Sequence, residues 1–506
     1  MSDLPNSWIE TALTNLSTIE MGQSPDSRSY NSEGKGLPFF QGKAEFQAVF
    51  PEIRKWCSEP TKVVERGDIL LSIRAPVGPT NIAPEKSCIG RGLAGIRAET
   101  GVNQSYLYYF LKNIEPWLSE QGTGSTFAAI SGQFVREISC PVAPAAEQTR
   151  IVAKLEELLS DLDAGVVELK AAQKKLGQYR QSLLKVAVEG ALTADWREAQ
   201  RKHNMPRETG AQLLQRILTE RRARWEAKQF AKFAEQGKTP PKDWQKKYPE
   251  PVQPDTSGLP ELPEGWVWAS LDQLAAESSY GTSVKCSYDG AGTPVLRIPN
   301  VVAGKLELRD LKFATVALEL GDLDYLDVGD VLVIRTNGSV GLVGRAAAVC
   351  CALPAPHYFA SYLLRLRCVD TTCTHKWISS TLASDQGRKW LEVRAASSAG
   401  QHNISLSTLL TMPIALPSLA EQGSALQTLE SALEVADQHQ TAVETSANLA
   451  NAQRKNILKA AFSGQLVPQD PNDEPASVLL QRIRAERAAQ VAVKKPYRSK
   501  RKEISK

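Results

Sequence analysis

A run of more than forty residues occurs twice in this chain with no insertion or deletion. EQTRIVAKLEELL, starting at Glu147, returns as EQGSALQTLESAL at Glu421, and the offset of 274 holds through VAVEGAL (Val186–Leu192) and AAFSGQL (Ala460–Leu466). It pairs Glu147 with Glu421, Leu155 with Leu429, Arg180 with Arg454, Lys185 with Lys459 and Gly190 with Gly464. Loops accept insertions readily, so a long gap-free match argues for one rigid element. Shorter matches surround it in the same order. LPNSW (Leu4–Trp8) resembles LPEGW (Leu262–Trp266), GLPFFQ (Gly36–Gln41) matches GTPVLR (Gly292–Arg297), and RGDILLSIR (Arg66–Arg74) matches VGDVLVIR (Val328–Arg335). LLQRI stands at Leu213–Ile217 and again at Leu479–Ile483, each followed by a Glu-Arg pair (Glu220, Arg221; Glu486, Arg487). One pentapeptide can match by chance, but this ordered set describes a duplicated unit: globular segment, long helix, short helical hairpin.

The first long segment carries apolar or small residues at Ile151, Leu155, Leu158, Leu162, Gly165, Leu169, Ala172, Leu176, Tyr179, Leu183 and Val186. Steps of four and three alternate, as in a heptad seam. The counterpart reads Ala425, Leu429, Ala432, Ala436, His439, Val443, Ser446, Ala450, Gln453, Ile457 and Ala460. One seam is bulky and the other mostly small, which favours close pairing of these two helices with each other. At ~1.5 Å per residue, about 40 residues make a rod of roughly 60 Å. The seam leaves the direction of pairing open; an antiparallel rod, the arrangement expected, would hold the globular copies at opposite ends and suit a partner with approximate two-fold symmetry.

The globular segments, about Leu4–Val142 and Leu262–Ala415, are each of ordinary domain size. Both mix short strands (Ile69–Ile73; Val331–Ile334; Tyr362–Leu366) with helical stretches (Gln104–Lys112; His375–Gln386), which predicts an α+β class. Both end in a Gly- and Ser-rich loop before an Ile-Ser pair, GTGSTFAAIS (Gly122–Ser131) and ASSAGQHNIS (Ala396–Ser405). The copies agree in framework and differ in polar tips. Copy one presents Gln23, Arg28, Gln41, Lys43, Arg74, Arg91, Ser125 and Thr126; copy two presents Lys285, Arg297, Asn300, Arg335, Asn337, Arg345, Gln401, His402 and Asn403. Arg and Lys can pair with guanine edges and Asn and Gln with adenine, so the two sets read as candidate DNA-contacting residues on one scaffold. Singly, each is better explained by a solvated surface side chain or a buried structural arginine; as a set on matching tips they read as two different readers.

Charge supports a polyanionic partner only once it is divided along the chain. The formal total is +4, yet Arg197–Lys247 carries +8 and Lys494–Lys506 carries +6, leaving −10 for the remainder. Apolar stretches such as Asp330–Ile334 and Val340–Ala352 are too short or too interrupted to span a bilayer. The start, MSDLPNSWIE, lacks the pattern of a signal peptide, so the eight scattered cysteines read as reduced thiols and the expected location is cytoplasmic. Neither GxxxxGK[ST], a GxGxxG after a strand, nor GxSxG occurs, and no Asn/Asp-Pro-Pro-aromatic run of the kind used by amino-methyltransferases is found. Cys368, Cys373 and His375 lack a fourth ligand and firm spacing, so buried thiols are a better reading than zinc. No catalytic residue and no metal ligand is expected in this chain.

The ordered pattern resembles the specificity subunit of type I restriction-modification enzymes. It is carried by the EQ-initiated helices that end near Arg180–Lys185 and Arg454–Lys459, the Gly-x-Leu stop, LTADWR (Leu192–Arg197), LLQRIRAERAA (Leu479–Ala489) and the lysine-rich end. The resemblance implies two target recognition domains, each reading one half of a bipartite site in double-stranded DNA across an unread spacer. The paired helices would be the spacer ruler and the docking surface for two adenine-N6 methyltransferase subunits, with Arg180, Leu184, Lys185, Arg454, Leu458 and Lys459 as partner-binding candidates. Two restriction subunits would join them. S-adenosylmethionine, ATP and Mg2+ would be used by those partners, with no cofactor in this chain. The corresponding division is residues 1–146 and 259–420 as recognition domains, 147–192 and 421–466 as spacer helices, 193–258 as a basic helical linker and 467–506 as a C-terminal helix and basic tail. That linker, with Trp225, Trp244, Pro249, Pro251 and Pro254, departs from the minimal pattern. The alternative is a coiled-coil scaffold whose globular ends bind proteins.

Overall fold

A computed structural model describes residues 4–122, 128–202, 208–290, 292–302, 304–318, 321, 324–398 and 400–493. The chain forms two compact units, one from residues 1–171 with 443–506 and the other from residues 172–442. The first unit is therefore discontinuous in sequence. Both are α+β, and they are assembled from equivalent parts.

In the first unit an antiparallel sheet runs in the order Ser17–Met21, Leu93–Ala98, Ile69–Ser72, Thr80–Ile82. A mixed sheet of five short strands lies in the order Tyr30–Asn31, Trp56–Cys57, Leu37–Phe40, Ser87–Ile89, Val63–Val64. The helix Gln104–Glu120 begins where the Asn103 side chain accepts from the Ser105 and Tyr106 N–H groups, and it buries Tyr106, Leu107, Phe110 and Leu111. In the second unit the order is Ala275–Tyr280, Leu363–Cys368, Asp330–Ile334, Ala346–Ala348. Its covering helix is broken into Thr374–Ala383 and Asp385–Arg394. Ser384 Oγ accepts from the Gly387 N–H at 3.2 Å, and a Cβ at Gly387 would lie 2.0 Å from the Thr381 carbonyl oxygen.

The ladders fix which residues of the copies correspond. Asp68 pairs with Arg97 at 2.6 Å and Asp330 with Arg367 at 2.8 Å, one strand apart in each unit. Ser72 stands opposite Leu93, and Ile334 opposite Leu363. The next N–H groups, of Ile73 and Arg335, donate to Gly92 O and Tyr362 O at 2.9 and 2.8 Å, and the carbonyls of the same two residues accept from Ile130 and Ile404. Arg335 thus corresponds to Ile73, not to Arg74 as the aligned peptides suggest; the extra residue of RGDILLSIR displaces its arginine by one position.

The long helices are Ala145–Val188 and Leu419–Phe462, 44 residues each. Within the second unit, Arg180 pairs with Asp437 at 2.6 Å, and Leu184 and Ala187 share a cluster with Leu429. One helix ascends as the other descends. The first unit shows the same antiparallel sense: Arg454 pairs with Asp163, while Ile151, Leu155 and Leu159 share the core with Leu458, Ala461 and Phe462. The bulky side indeed faces small residues, but the period differs from the expected heptad. The covered stripe is Ile151, Leu155, Leu159, Leu162, Val166, Leu169, Ala172, Leu176, Arg180, Leu184, Ala187, ten steps in 36 residues, and its counterpart runs likewise from Ala425 through Gln440, Ala447 and Arg454 to Ala461. That is the ~3.6 spacing of a straight helix, with little of the winding that a 3.5 repeat imposes. Tyr179 is accordingly 49% exposed, and nothing approaches the position of a Cβ on Gly165.

Of the six residues expected to bind partners, the helix pairing itself engages four. Arg180 and Arg454 hold the helix pair through acidic residues, and Leu184 and Leu458 are buried in it. Lys185 and Lys459 remain exposed.

The Glu-Gln pair that opens both long helices ties each to its domain. Gln148 Nε2 donates to Ala143 O and its Oε1 accepts from the Asn103 N–H, both at 2.9 Å; Gln422 Nε2 donates to Pro417 O at 3.1 Å and its Oε1 accepts from Thr374 Oγ1 at 3.2 Å. The glutamates differ. Glu147 accepts from Trp8 Nε1 at 3.0 Å and from Gln469 Nε2 at 2.6 Å, whereas Glu421 accepts from Thr193 Oγ1 at 2.7 Å and pairs with Arg197 at 2.5 Å. The LLQRI helices complete the units. Leu479 and Ile483 are buried in the first, where Arg487 donates to Thr14 O and Ser17 O; Leu213 and Ile217 are buried in the second, where Arg221 donates to Ala275 O. The linker folds back on its own helix, Gly210–Glu235, with Trp225 stacked on Trp244 at 5.8 Å between ring centres.

Burial pushes the Glu147 carboxyl above its ordinary range, against the pull of its two hydrogen-bond donors. Such a group adds stability below its unfolded pKa of about 4.3, and that contribution is lost as pH rises through the raised folded value. Glu147→Gln, which keeps the shape and removes the charge, should therefore gain in melting temperature relative to the wild type between pH 4 and pH 8. At pH 7 it should lie within about 1 kcal/mol of wild type. Glu421→Gln should cost about 1.5–3 kcal/mol there, because it leaves Arg197 without its carboxylate. Melting curves of both variants across pH check the order, and equal losses would refute it.

Candidate nucleic-acid interface

In the first unit three strand ends meet the turn Gly90-Arg91-Gly92. The Gly22 N–H donates to Leu93 O at 2.9 Å, the Gln23 N–H to Ile89 O at 3.1 Å, and the Gly90 N–H to Phe40 O at 2.8 Å. These approaches require glycine. A Cβ at Gly22 would stand 2.1 Å from Gly90 O, and one at Gly92 would stand 2.2 Å from Gln41 O. The junction brings Gln23, Gln41, Arg74 and Arg91 to one exposed edge, and among the described residues none of these four side chains has a hydrogen-bond or ion-pair partner. Arg28 is held differently, by Asp26 at 2.9 Å, and Lys43 is exposed on the turn after Gln41. Ser125 and Thr126 lie outside the described residues.

The second unit builds the same junction with other side chains. A Cβ on Gly281 would lie 2.3 Å from Phe359 O and 2.4 Å from Ala360 O. The Thr282 N–H donates to Phe359 O and the Ala360 N–H to Leu296 O, both at 2.9 Å. Beside it, Thr336–Asn337, Gln401–Asn403 and Ala396–Ser398 form a small antiparallel sheet. This sheet gathers five of the expected residues. Arg335 Nε donates to Asn403 Oδ1 at 3.1 Å, Gln401 Oε1 accepts from Thr336 Oγ1 at 3.3 Å, and Asn337 stands opposite His402.

Other members of the second set are engaged elsewhere. Asn300 is buried, so it is not a surface reader: its Oδ1 accepts from the Arg297 N–H at 2.8 Å and its Nδ2 donates to Glu307 O and Arg309 O at 2.8 and 3.0 Å. The Arg297 guanidinium donates to Asp310 O at 2.7 Å, and Arg345 Nε to Gly341 O at 3.1 Å; Lys285 is exposed. Reasoning from polar tips missed the aromatic residues. Tyr280, Tyr288 and Tyr362 are 44%, 59% and 55% exposed; Arg335 lies over the Tyr280 ring at 4.8 Å, and Lys312 over Tyr288 at 4.8 Å. Exposed tyrosines in tip segments were the available signal. Cys368 and Cys373 are both buried, and burial pushes the Cys373 thiol up to about 12.

Residues 5–174 match the family described as the type I restriction modification DNA specificity domain. The chain is 24% identical over 503 residues to the type I restriction enzyme EcoDI specificity subunit of Escherichia coli, covering 96% of each protein. It is 38% identical over 196 residues to the MjaX specificity subunit of Methanocaldococcus jannaschii, spanning 38% of this chain and 45% of that protein. Residues 5–174 therefore carry a type I restriction specificity domain. A solved HsdS subunit from Thermoanaerobacter tengcongensis is 45% identical over 32% of this chain and 40% of that one, with a TM-score of 0.30. The match to the specificity domain runs from the first globular segment into the first long helix, so it contains the whole Gly22/Gly90/Gly92 junction. Among the described residues, no helix is long and apolar enough to cross a membrane.

The junction glycines generate a prediction that separates packing from helix propensity. Gly22→Ala and Gly281→Ala each drive a methyl group into backbone carbonyls and should cost about 1–3 kcal/mol. Gly165→Ala, on an open helix face, should gain about 0.5–1 kcal/mol. Thermal melts that rank all three alike would contradict the assigned backbone approaches.

Proposed function

We propose that this chain is the DNA-reading subunit of a type I restriction-modification system and recognises a bipartite duplex, one half-site through each globular domain. The observation that carries the proposal is the duplicated junction. The same backbone frame recurs in both units, while the polar side chains it bears differ, the exposed Gln23, Gln41, Arg74 and Arg91 in one and the exposed Gln401 with the half-buried Arg335, Asn337, His402 and Asn403 in the other. A conserved frame with divergent polar edges is what two readers of different base sequences need. Helix length would set the unread spacer: 44 residues span about 66 Å. The surface around Lys185 and Lys459, exposed at equivalent places on the two long helices, would receive two adenine-N6 methyltransferase subunits, which two restriction subunits join. Methyl transfer and cleavage would belong to those partners, with their S-adenosylmethionine, ATP and Mg2+.

Co-expression with the cognate methyltransferase, followed by genome-wide mapping of N6-methyladenine, tests this reading. The expected motif has two half-sites separated by a fixed gap. Replacing residues 259–420 with the corresponding domain of a relative should change one half-site and leave the other intact. Removing seven residues from each long helix should shorten the gap without altering either half-site. A contiguous motif, or a purified chain that methylates or cleaves DNA unaided, would overturn the proposal. Binding that shows salt sensitivity but no sequence preference would support a scaffold instead.

A further inference from the structure

Arg335 differs from the other cations of the second unit in how it is held. Its Nε donates to Asn403 Oδ1 at 3.1 Å, and its guanidinium lies 4.8 Å from the centre of the Tyr280 ring. Asn403 is placed by the strand Gln401–Asn403, which pairs with Thr336–Asn337 directly after Arg335, and the Arg335 carbonyl accepts from the Ile404 N–H at 3.0 Å. The guanidinium is therefore held at two points, Nε and the Tyr280 ring, while its two terminal amino groups have no protein acceptor among the described residues. Neighbouring arginines are occupied at the fork or its base: Arg297 donates to Asp310 O, Arg345 to Gly341 O, and Arg388 to Val343 O and Val340 O. In the first unit Arg74 and Arg91 carry no such support.

A planar pair of donors on a partly exposed edge matches one base edge in the duplex major groove, the O6 and N7 acceptors of guanine. Adenine presents a donor beside its N7, so a rigid two-donor fork meets one acceptor and one repulsive group there. Because the side chain is already ordered, little rotamer freedom remains to be lost on binding. We propose that Arg335, stacked on Tyr280 and oriented by Asn403, forms a guanine-binding subsite in the half-site read by the second domain. Arg335 touches the base; Asn403 is a positioning residue. This rests on the proposed DNA-reading role, and the test separates the two.

The experiment uses the complete complex with its methyltransferase and maps methylated motifs for wild type, Arg335→Gln, Arg335→Lys, Asn403→Ala and Asn403→Asp. The wild type should show a required guanine in the second domain's half-site. Arg335→Gln and Arg335→Lys should relax that one position by about tenfold or more, leaving the first half-site unchanged. Asn403→Ala should relax the same position, and Asn403→Asp, which still accepts from Nε, should keep the preference even if overall affinity falls. With the motif known, replacing that guanine by 7-deazaguanine should weaken wild-type binding several-fold and leave Arg335→Gln unaffected. A motif unchanged in Arg335→Gln, or loosened equally at every position of the half-site, overturns the guanine subsite while the DNA-reading role stands. A wild-type complex with no bipartite motif overturns both.

Discussion

The buried stripe between the two antiparallel long helices is the constraint on which the architecture depends. Each helix gives its first part to one unit and its second part to the other, so the first unit is completed only when residues 443–506 return to it, and the second pairs two stretches of helix from its own ends. A single inserted residue would rotate one stripe by about 100° and expose it. That accounts for a match of more than forty residues without a gap, where the surrounding loops have drifted freely. It also explains why bulky residues on one helix face alanines on the other. Ala425, Ala436, Ala447, Ala450 and Ala461 supply the small positions on the second helix, and where Leu429 stands instead, it meets Ala187 beside Leu184.

Duplication preserved the frame and let the polar chemistry diverge. The buried glutamines 148 and 422 perform the same task, joining a helix start to a domain helix. The adjacent glutamates have separated: Glu147 rests on two neutral donors, and Glu421 on an arginine supplied by the linker. The junctions behave alike. Glycines admit the strand ends in both units, yet the first presents unheld glutamines and arginines and the second an arginine stacked on tyrosine.

Much of this was legible in the sequence because repetition and periodicity are local signals. The two α+β segments, the long helices, the LLQRI helices and the pairing of bulky with small residues all follow from them. What escaped depends on contacts between distant residues. The alternating four-and-three seam passes through Gly165 and Tyr179, but covering by a straight partner helix follows 3.6 and selects Val166 and Arg180. Arg74 resembles Arg335 in a peptide alignment, and only the hydrogen-bond ladder shows Ile73 in that place. Asn300 has the composition of a reader, yet three main-chain partners draw it into the interior. Composition could not reveal that Tyr280 lies beneath Arg335, since the two are 55 residues apart.

The antiparallel register is the central claim, and charge reversal across it is its most direct measurement. Arg180→Glu and Asp437→Arg, and separately Asp163→Arg and Arg454→Glu, should each lower the melting temperature alone. Each reversed pair should restore it, giving a favourable coupling of about 0.3–1 kcal/mol. Strictly additive losses at both pairs would contradict the pairing, and with it the assembly of each unit from two separate stretches of helix.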